Sequence, residues 1–292
     1  MLTIDPKEIP TGKLHKYLLG AVAPRPIAFA STLDGQNRPN LSPYSFFNVF
    51  SSNPPVMIFS PNRRVRNNTT KHTYENAKKT GEVVINVVNY AIVQQMSLSS
   101  TEYPEGVNEF EKAGLTMLAS EVVKPYRVAE SPVQFECRVR EIIELGNEGG
   151  AGNLIVCEIL KIHIATEVLD EDKNIDQFKI DLVSRMGGNW YGRSKNGMFE
   201  VPKPLSTLGI GVDALPDSVQ KSNVLTGNDL GQLGNIAQVP SRAEIEEFVE
   251  NSKELKTILN TNDENSLHLQ AKELIHKNEV LSALKVLLAN QL

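Results

Sequence analysis

Between residues 20 and 165 the apolar positions fall in short runs, at 26–30, 56–59, 81–88, 133–139 and 154–160, each bounded by Gly, Pro, Asn or Ser clusters. Short runs rich in Val, Ile and Phe between turn formers predict strands. The fourth run alternates cleanly: Phe135, Cys137 and Val139 share one face, and Gln134, Glu136, Arg138 and Arg140 the other. A period of two with one apolar face predicts an antiparallel sheet with a wet side. The following stretch holds Gly146, Gly149, Gly150 and Gly152, which tolerate positive φ, so the fourth and fifth strands should form a hairpin. If it closes symmetrically, Cys137 and Cys157 lie near each other. Helical spacing is confined here to residues 71–79, ended by Thr80-Gly81, and to residues 91–99. Many short strands with few helices predict a barrel or sandwich. No Gly-x-Gly-x-x-Gly follows a strand, which disfavours a dinucleotide-binding α/β fold.

The pattern changes after residue 204. Residues 205–240 carry five glycines (209, 211, 227, 231 and 234) and two prolines among polar positions, and read as an irregular linker. Ser241 followed three residues later by Glu244 predicts a capping box. Beyond it Ile245, Phe248, Val249, Leu255, Ile258 and Leu259, then Leu267, Leu274, Ile275, Leu281, Leu284 and Leu288, keep helical spacing. The expected division is therefore a β domain over 1–204, a linker over 205–240 and a helical pair over 241–292.

A chain of 292 residues with 30 Lys and Arg against 35 Asp and Glu has no global positive field to hold nucleic acid or an anionic membrane, and neither is expected as a partner. No apolar run reaches the roughly 18 residues a spanning helix needs. Asp5 and Pro6 stand where a signal peptide would place basic and apolar residues, so a cytoplasmic location is expected. The two cysteines and five histidines form no metal-ligand spacing, so no metal site is expected.

Two polar groups carry chemistry. Ser31 and Thr32, then Asn40, Ser42, Tyr44, Ser45, Phe46, Phe47 and Asn48, interleave hydroxyls and amides with aromatics. That mixture suits a site that grips a phosphate and covers a flat heteroaromatic ring, and equally a solvated loop with buried Phe anchors. Arg63, Arg64, Arg66, Lys71, His72 and Thr73 gather cations and a hydroxyl ahead of the first predicted helix. Such a cluster suits an anion, or else a basic surface loop.

In order along the chain, Pro24-Arg25-Pro26-Ile27-Ala28-Phe29-Ala30-Ser31-Thr32, Asp34-Gly35, Asn40-Leu41-Ser42-Pro43-Tyr44-Ser45-Phe46-Phe47-Asn48, Lys71-His72-Thr73-Tyr74-Glu75-Asn76 and Arg185-Met186-Gly187-Gly188-Asn189-Trp190-Tyr191 resemble the flavin reductase-like family of FMN-binding split barrels. The resemblance covers roughly residues 14–200. It implies a mainly β protein, an antiparallel Greek-key split β-barrel, here with a C-terminal helical extension, that forms a homodimer with FMN near the subunit interface. It further implies Ser31 and Thr32 at the isoalloxazine edge, Ser45, Phe46, Phe47 and Asn48 around the ring and ribityl chain, and Lys71 and Thr73 on the phosphate, joined by Arg25. His72 stands where the family often has an acidic residue. The implied activity is that of an NAD(P)H-dependent flavin reductase, passing hydride from NADH or NADPH to N5 of FMN and electrons to an acceptor such as a monooxygenase. The alternative is an FMN-binding electron carrier or redox sensor that NAD(P)H does not reduce. His163 is either a residue near the nicotinamide or a rim histidine bonded to a neighbour. Trp190 and Tyr191 either cover a flavin across the dimer or anchor the segment after the barrel.

Overall fold

All five predicted strands form, and two more complete the sheet. The computed structural model describes residues 1–201, 208–261 and 263–292, and the boundary expected at 204 lies outside them. The chain divides into two units, Met1–Phe199 and Glu200–Leu292.

In chain order the first unit holds α1 (Thr11–Ala21), β1 (Ala28–Leu33), β2 (Pro39–Tyr44), β3 (Phe47–Ser52), β4 (Pro55–Phe59), α2 (His72–Thr80), β5 (Glu82–Val87), α3 (Val93–Leu98) and α4 (Glu109–Ala113). The short strands β6 (Met117–Leu118) and β7 (Arg127–Val128) follow. Next come β8 (Val133–Glu144) and β9 (Asn153–Ile164), then β10 (Val183–Arg185) and β11 (Tyr191–Arg193). Seven strands pair antiparallel in the order β2-β1-β5-β8-β9-β4-β3. The first and last strands of that order are consecutive in sequence, joined only by Ser45 and Phe46. Three Cα steps span at most about 11 Å, so the sheet must curl until its two edges meet. No ladder joins β2 to β3. The result is a barrel split along one seam, with Ser45 and Phe46 at that seam.

Alternation divides the side chains of β1 between two cores. Ala28 and Ala30 face the barrel interior with Phe59, Val83, Ile85, Ile155 and both cysteines. Phe29 faces outward, with Leu41, under Met96 of α3 and Phe110 of α4. Fully burying each such large side chain is worth about 1.5–3 kcal/mol. Bulges in the β8–β9 hairpin set Cys157 opposite Val139 and Cys137 opposite Ile159. Both thiols are fully buried, and burial drives their pKa values well above the ordinary thiol range.

The second unit differs from expectation. Residues 212–214 form a 3₁₀ turn, followed by α5 (Asp217–Gln220) and α6 (Gly227–Gly234), while the expected pair comprises four helices: α7 (Arg242–Glu250), α8 (Lys253–Thr261), α9 (Glu264–His276) and α10 (Val280–Leu288). The Ser241–Glu244 capping box is present, and Thr226 with Asp229 makes another on α6. Leu215, Val219, Leu225 and Leu233 pack in one core with Leu255, Leu267 and Leu284, so the expected linker is part of this unit. Its glycines permit contact between backbones. A Cβ on Gly209 would lie 2.5 Å from the Gly234 carbonyl oxygen, and Gly211 N–H donates to that oxygen at 2.9 Å.

Candidate functional site

A cavity of about 790 Å³ opens where α1, the seam residue Phe46, the segment after β4 and the β8–β9 turn come together. Its walls are built locally. Leu18 lies one helical turn beyond Leu14 and His15 on α1, so the three border a single face. Across from them stand Phe46, Leu145 and Leu154, with the His15 imidazole edge-on to the Phe46 ring, centroids 6.2 Å apart. The glycine-rich turn closes one side. A Cβ on Gly149 would lie 3.0 Å from the Val65 carbonyl oxygen and 3.1 Å from that of Arg64, so glycine lets the turn lie directly on this backbone.

The opposite end is cationic. Arg63, Arg64, Arg66 and Lys71 line it together with Ser60 and Asn62. Three of these cations meet one carboxylate: Glu102 accepts from Arg64 Nε at 3.1 Å, from Lys71 Nζ at 3.2 Å and from Arg66 Nη2. The hydrogen bonds from Lys71 and Arg64 hold its carboxyl below the usual carboxylate range. Lys71 is also the N-cap of α2. The N–H groups of a first helical turn have no partner within the helix, which adds a positive partial charge there.

Arg64, Lys71 and Glu102 also border a small polar recess with Ser42, Tyr44 and Thr73. Behind it lies a buried polar cluster. Thr73 Oγ1 accepts from Asn40 Nδ2 and from Tyr44 Oη, both at 2.8 Å, while Thr32 Oγ1 accepts from Asn76 Nδ2 at 3.1 Å. A hydroxyl that receives two bonds still has its own hydrogen to give, so Thr73 can donate to an acceptor in the recess.

Of the residues expected at a cofactor, Phe46 and Lys71 line the large cavity, and Thr73 adjoins it through the recess. His72 borders the recess and a second cavity of about 620 Å³, a polar one lined in part by Arg38, Glu75 and Lys79. The others stand elsewhere. Arg25, expected at a phosphate, is buried, and donates to the carbonyls of Leu19 and Val22 at the end of α1 and to that of Met186. It anchors the helix that forms the cavity wall. Ser31 shares the outward face of Phe29 because strand alternation puts it there, and its buried hydroxyl has no partner among the described residues. Thr32 is enclosed by its two amides, Phe47 packs on the barrel core, and Asn48 is exposed. The Ser45 hydroxyl receives a long 3.5 Å contact from Arg25 Nε.

His163 bonds a neighbour at 2.6 Å. Its Nε2 meets Glu136, a fully buried carboxylate that also accepts from the backbone N–H groups of Glu121, Val122 and Val123. Trp190 is exposed, and Tyr191 stacks under the Arg185 guanidinium. The α1 face, Ser60, Asn62 and Glu102 carried no signal in sequence, because each belongs to the site only through tertiary placement.

The profile of the flavin reductase like domain family matches residues 20–180. An uncharacterised protein of Aquifex aeolicus is 38% identical over 185 residues, 63% of this chain and 92% of that protein. Component B of nitrilotriacetate monooxygenase from Bacillus cereus superposes with a TM-score of 0.65 at 29% identity, over 69% of this chain and 98% of that one. A split-barrel-domain protein from Shewanella frigidimarina superposes at 0.58, with 24% identity, over 70% and 100%. The chain belongs to the flavin reductase-like family, and its first unit is the split barrel of that family.

Proposed function

We propose that the large cavity holds FMN and that the protein is an NAD(P)H-dependent flavin reductase. The observation that carries this reading is the union, in one cavity of about 790 Å³, of a cluster of four cations with an apolar wall that includes an aromatic ring. Cofactor sites are commonly of this size, mostly apolar, with a few placed polar groups. Lys71 and Arg64 bind the phosphate, with the Thr73 hydroxyl and the start of α2 as further donors. Phe46, Leu14 and Leu18 cover the ring system and keep water from one side of it.

When bound, the flavin supplies the redox chemistry, taking hydride at N5 from NADH or NADPH and delivering electrons to an acceptor. The protein's part is to position and shield, which fits a site with no catalytic triad. The likeness to a monooxygenase component supports a protein acceptor. Tyr17, Leu18 and Val22 around α1, with Val49 and Phe50 of β3, are exposed apolar positions that support a homodimer.

The test is an anaerobic visible spectrum of the FMN-loaded protein before and after addition of NADH, then NADPH. Rapid bleaching of the flavin band is expected. A bound flavin that stays oxidised with both donors would reject the reductase reading in favour of a carrier or sensor.

A further inference from the structure

The cations that would receive a phosphate already hold an anion. Glu102 belongs to the segment between α3 and α4, and among the described residues its carboxylate bonds only to Arg64, Arg66 and Lys71. Both of its oxygens are engaged, Oε1 by Lys71 and Arg64 and Oε2 by Arg66, as two oxygens of a phosphate would be. Its side chain is 36% exposed, so this end of the cavity is open to solvent.

We propose that Glu102 is an internal counter-anion which the cofactor's phosphate must displace, and that it thereby sets how strongly the site prefers a phosphorylated flavin over an unphosphorylated one. The inference rests on the flavin reading above. Magnitudes favour this role over that of a loop fastener. The pair with Arg66, 71% exposed, contributes little to folding, because water and salt screen it and ordering two long side chains costs entropy. A second anion brought among the same donors meets the carboxylate at contact distance, where repulsion is felt even at the effective dielectric of a protein surface. With Glu102 present, three cations are opposed by one carboxylate. Without it Lys71 Nζ, Arg66 Nη2 and Arg64 Nε are released for the phosphate, while Arg64 Nη1 stays on Thr69 and the Thr70 carbonyl and keeps that guanidinium in place. A ligand lacking the phosphate has no stake in that exchange.

The experiment measures dissociation constants for FMN and for riboflavin by quenching of flavin fluorescence, in the wild-type protein, Glu102→Gln and Glu102→Ala, at low and high salt. Both substitutions should tighten FMN about tenfold at low salt, leave riboflavin unchanged, and lose most of the gain at high salt, where the charges are screened. Unchanged or weaker FMN binding in both variants, or equal tightening of riboflavin, would overturn the inference. Absence of FMN binding to the wild type and both variants would instead remove the flavin reading, and the inference with it. Unchanged melting temperatures for the two variants separate a local effect from a loss of fold.

Discussion

Lys71 occupies two structural roles at once, as the N-cap of α2 and as a wall of the cavity, yet its side chain makes no capping bond. Its ammonium is therefore available to a ligand once Glu102 is displaced. Lys71→Ala should weaken FMN binding by about 1.5–3 kcal/mol, the usual value of a charge-assisted hydrogen bond, and an unchanged dissociation constant would remove it from the phosphate. Glu136 illustrates the opposite case, a charge committed to the fold. Burial alone would raise its carboxyl pKa, but the N–H groups of Glu121 and Val122, the His163 imidazole and the N–H of Val123 outweigh it, and the net shift is downward. A folded value below the unfolded one means the stabilisation is complete above the ordinary carboxylate range, about pH 4.3, and is lost as pH falls through the folded value. Glu136→Gln should cost about 3–5 kcal/mol in urea denaturation at pH 7, with the gap to wild type narrowing as pH falls below the ordinary carboxylate range. A gap independent of pH would show that shape rather than charge matters at this position.

Glycine has two meanings among the elements, and the sequence spells both alike. The run at 146–152 reads correctly as a hairpin turn, but its second task, lying flat on the backbone of Arg64 and Val65, depends on a neighbour distant in sequence. Gly149→Ala tests it: the new Cβ would push against two carbonyl oxygens 3.0 and 3.1 Å away. The arginine segment should shift, and FMN affinity should fall severalfold with little change in the far-UV circular dichroism spectrum. Full affinity would mean that the turn yields instead. Gly209, Gly211 and Gly234 look like a linker for the same reason, since close packing of backbones leaves no apolar pattern to read. Strands were legible where their interior positions are Val, Ile or Phe, as in β5 and β8. They were hidden in β2 and β3, where Pro39, Pro43 and a series of Ser and Asn residues obscure the alternation. Helix α1 was missed because none of its residues is buried in the single chain, so its apolar face has no counterpart in the first unit's core. The cationic end of the site was legible as a local cluster. Its aromatic residue Phe46 was legible too, within the run at 44–48, whereas the aliphatic wall comes from α1 and the β8–β9 hairpin and was not.

At the level of the whole molecule, the two units have separate cores, and every residue of the large cavity belongs to the first. The relative from Aquifex aeolicus aligns over 92% of its own length using 63% of this chain, so a chain of nearly that size suffices for the shared fold. A protein ended after residue 201 should therefore fold and bind FMN with an affinity close to that of the full chain, as judged by fluorescence titration. Loss of binding with the fold retained would assign the helical unit a share in the site. The seam at Ser45 and Phe46 has a mechanical consequence. It pins together the two edges of a rolled sheet, so a ligand pressed on Phe46 would also hold the roll shut. Filling the cavity should slow hydrogen exchange at the amides of β2 and β3, which no ladder joins, more than at Val133–Cys137 of β8, the end of the β8–β9 hairpin far from the turn that lines the cavity. Occupancy would then be readable, without any signal from the ligand itself, in how readily the barrel unrolls.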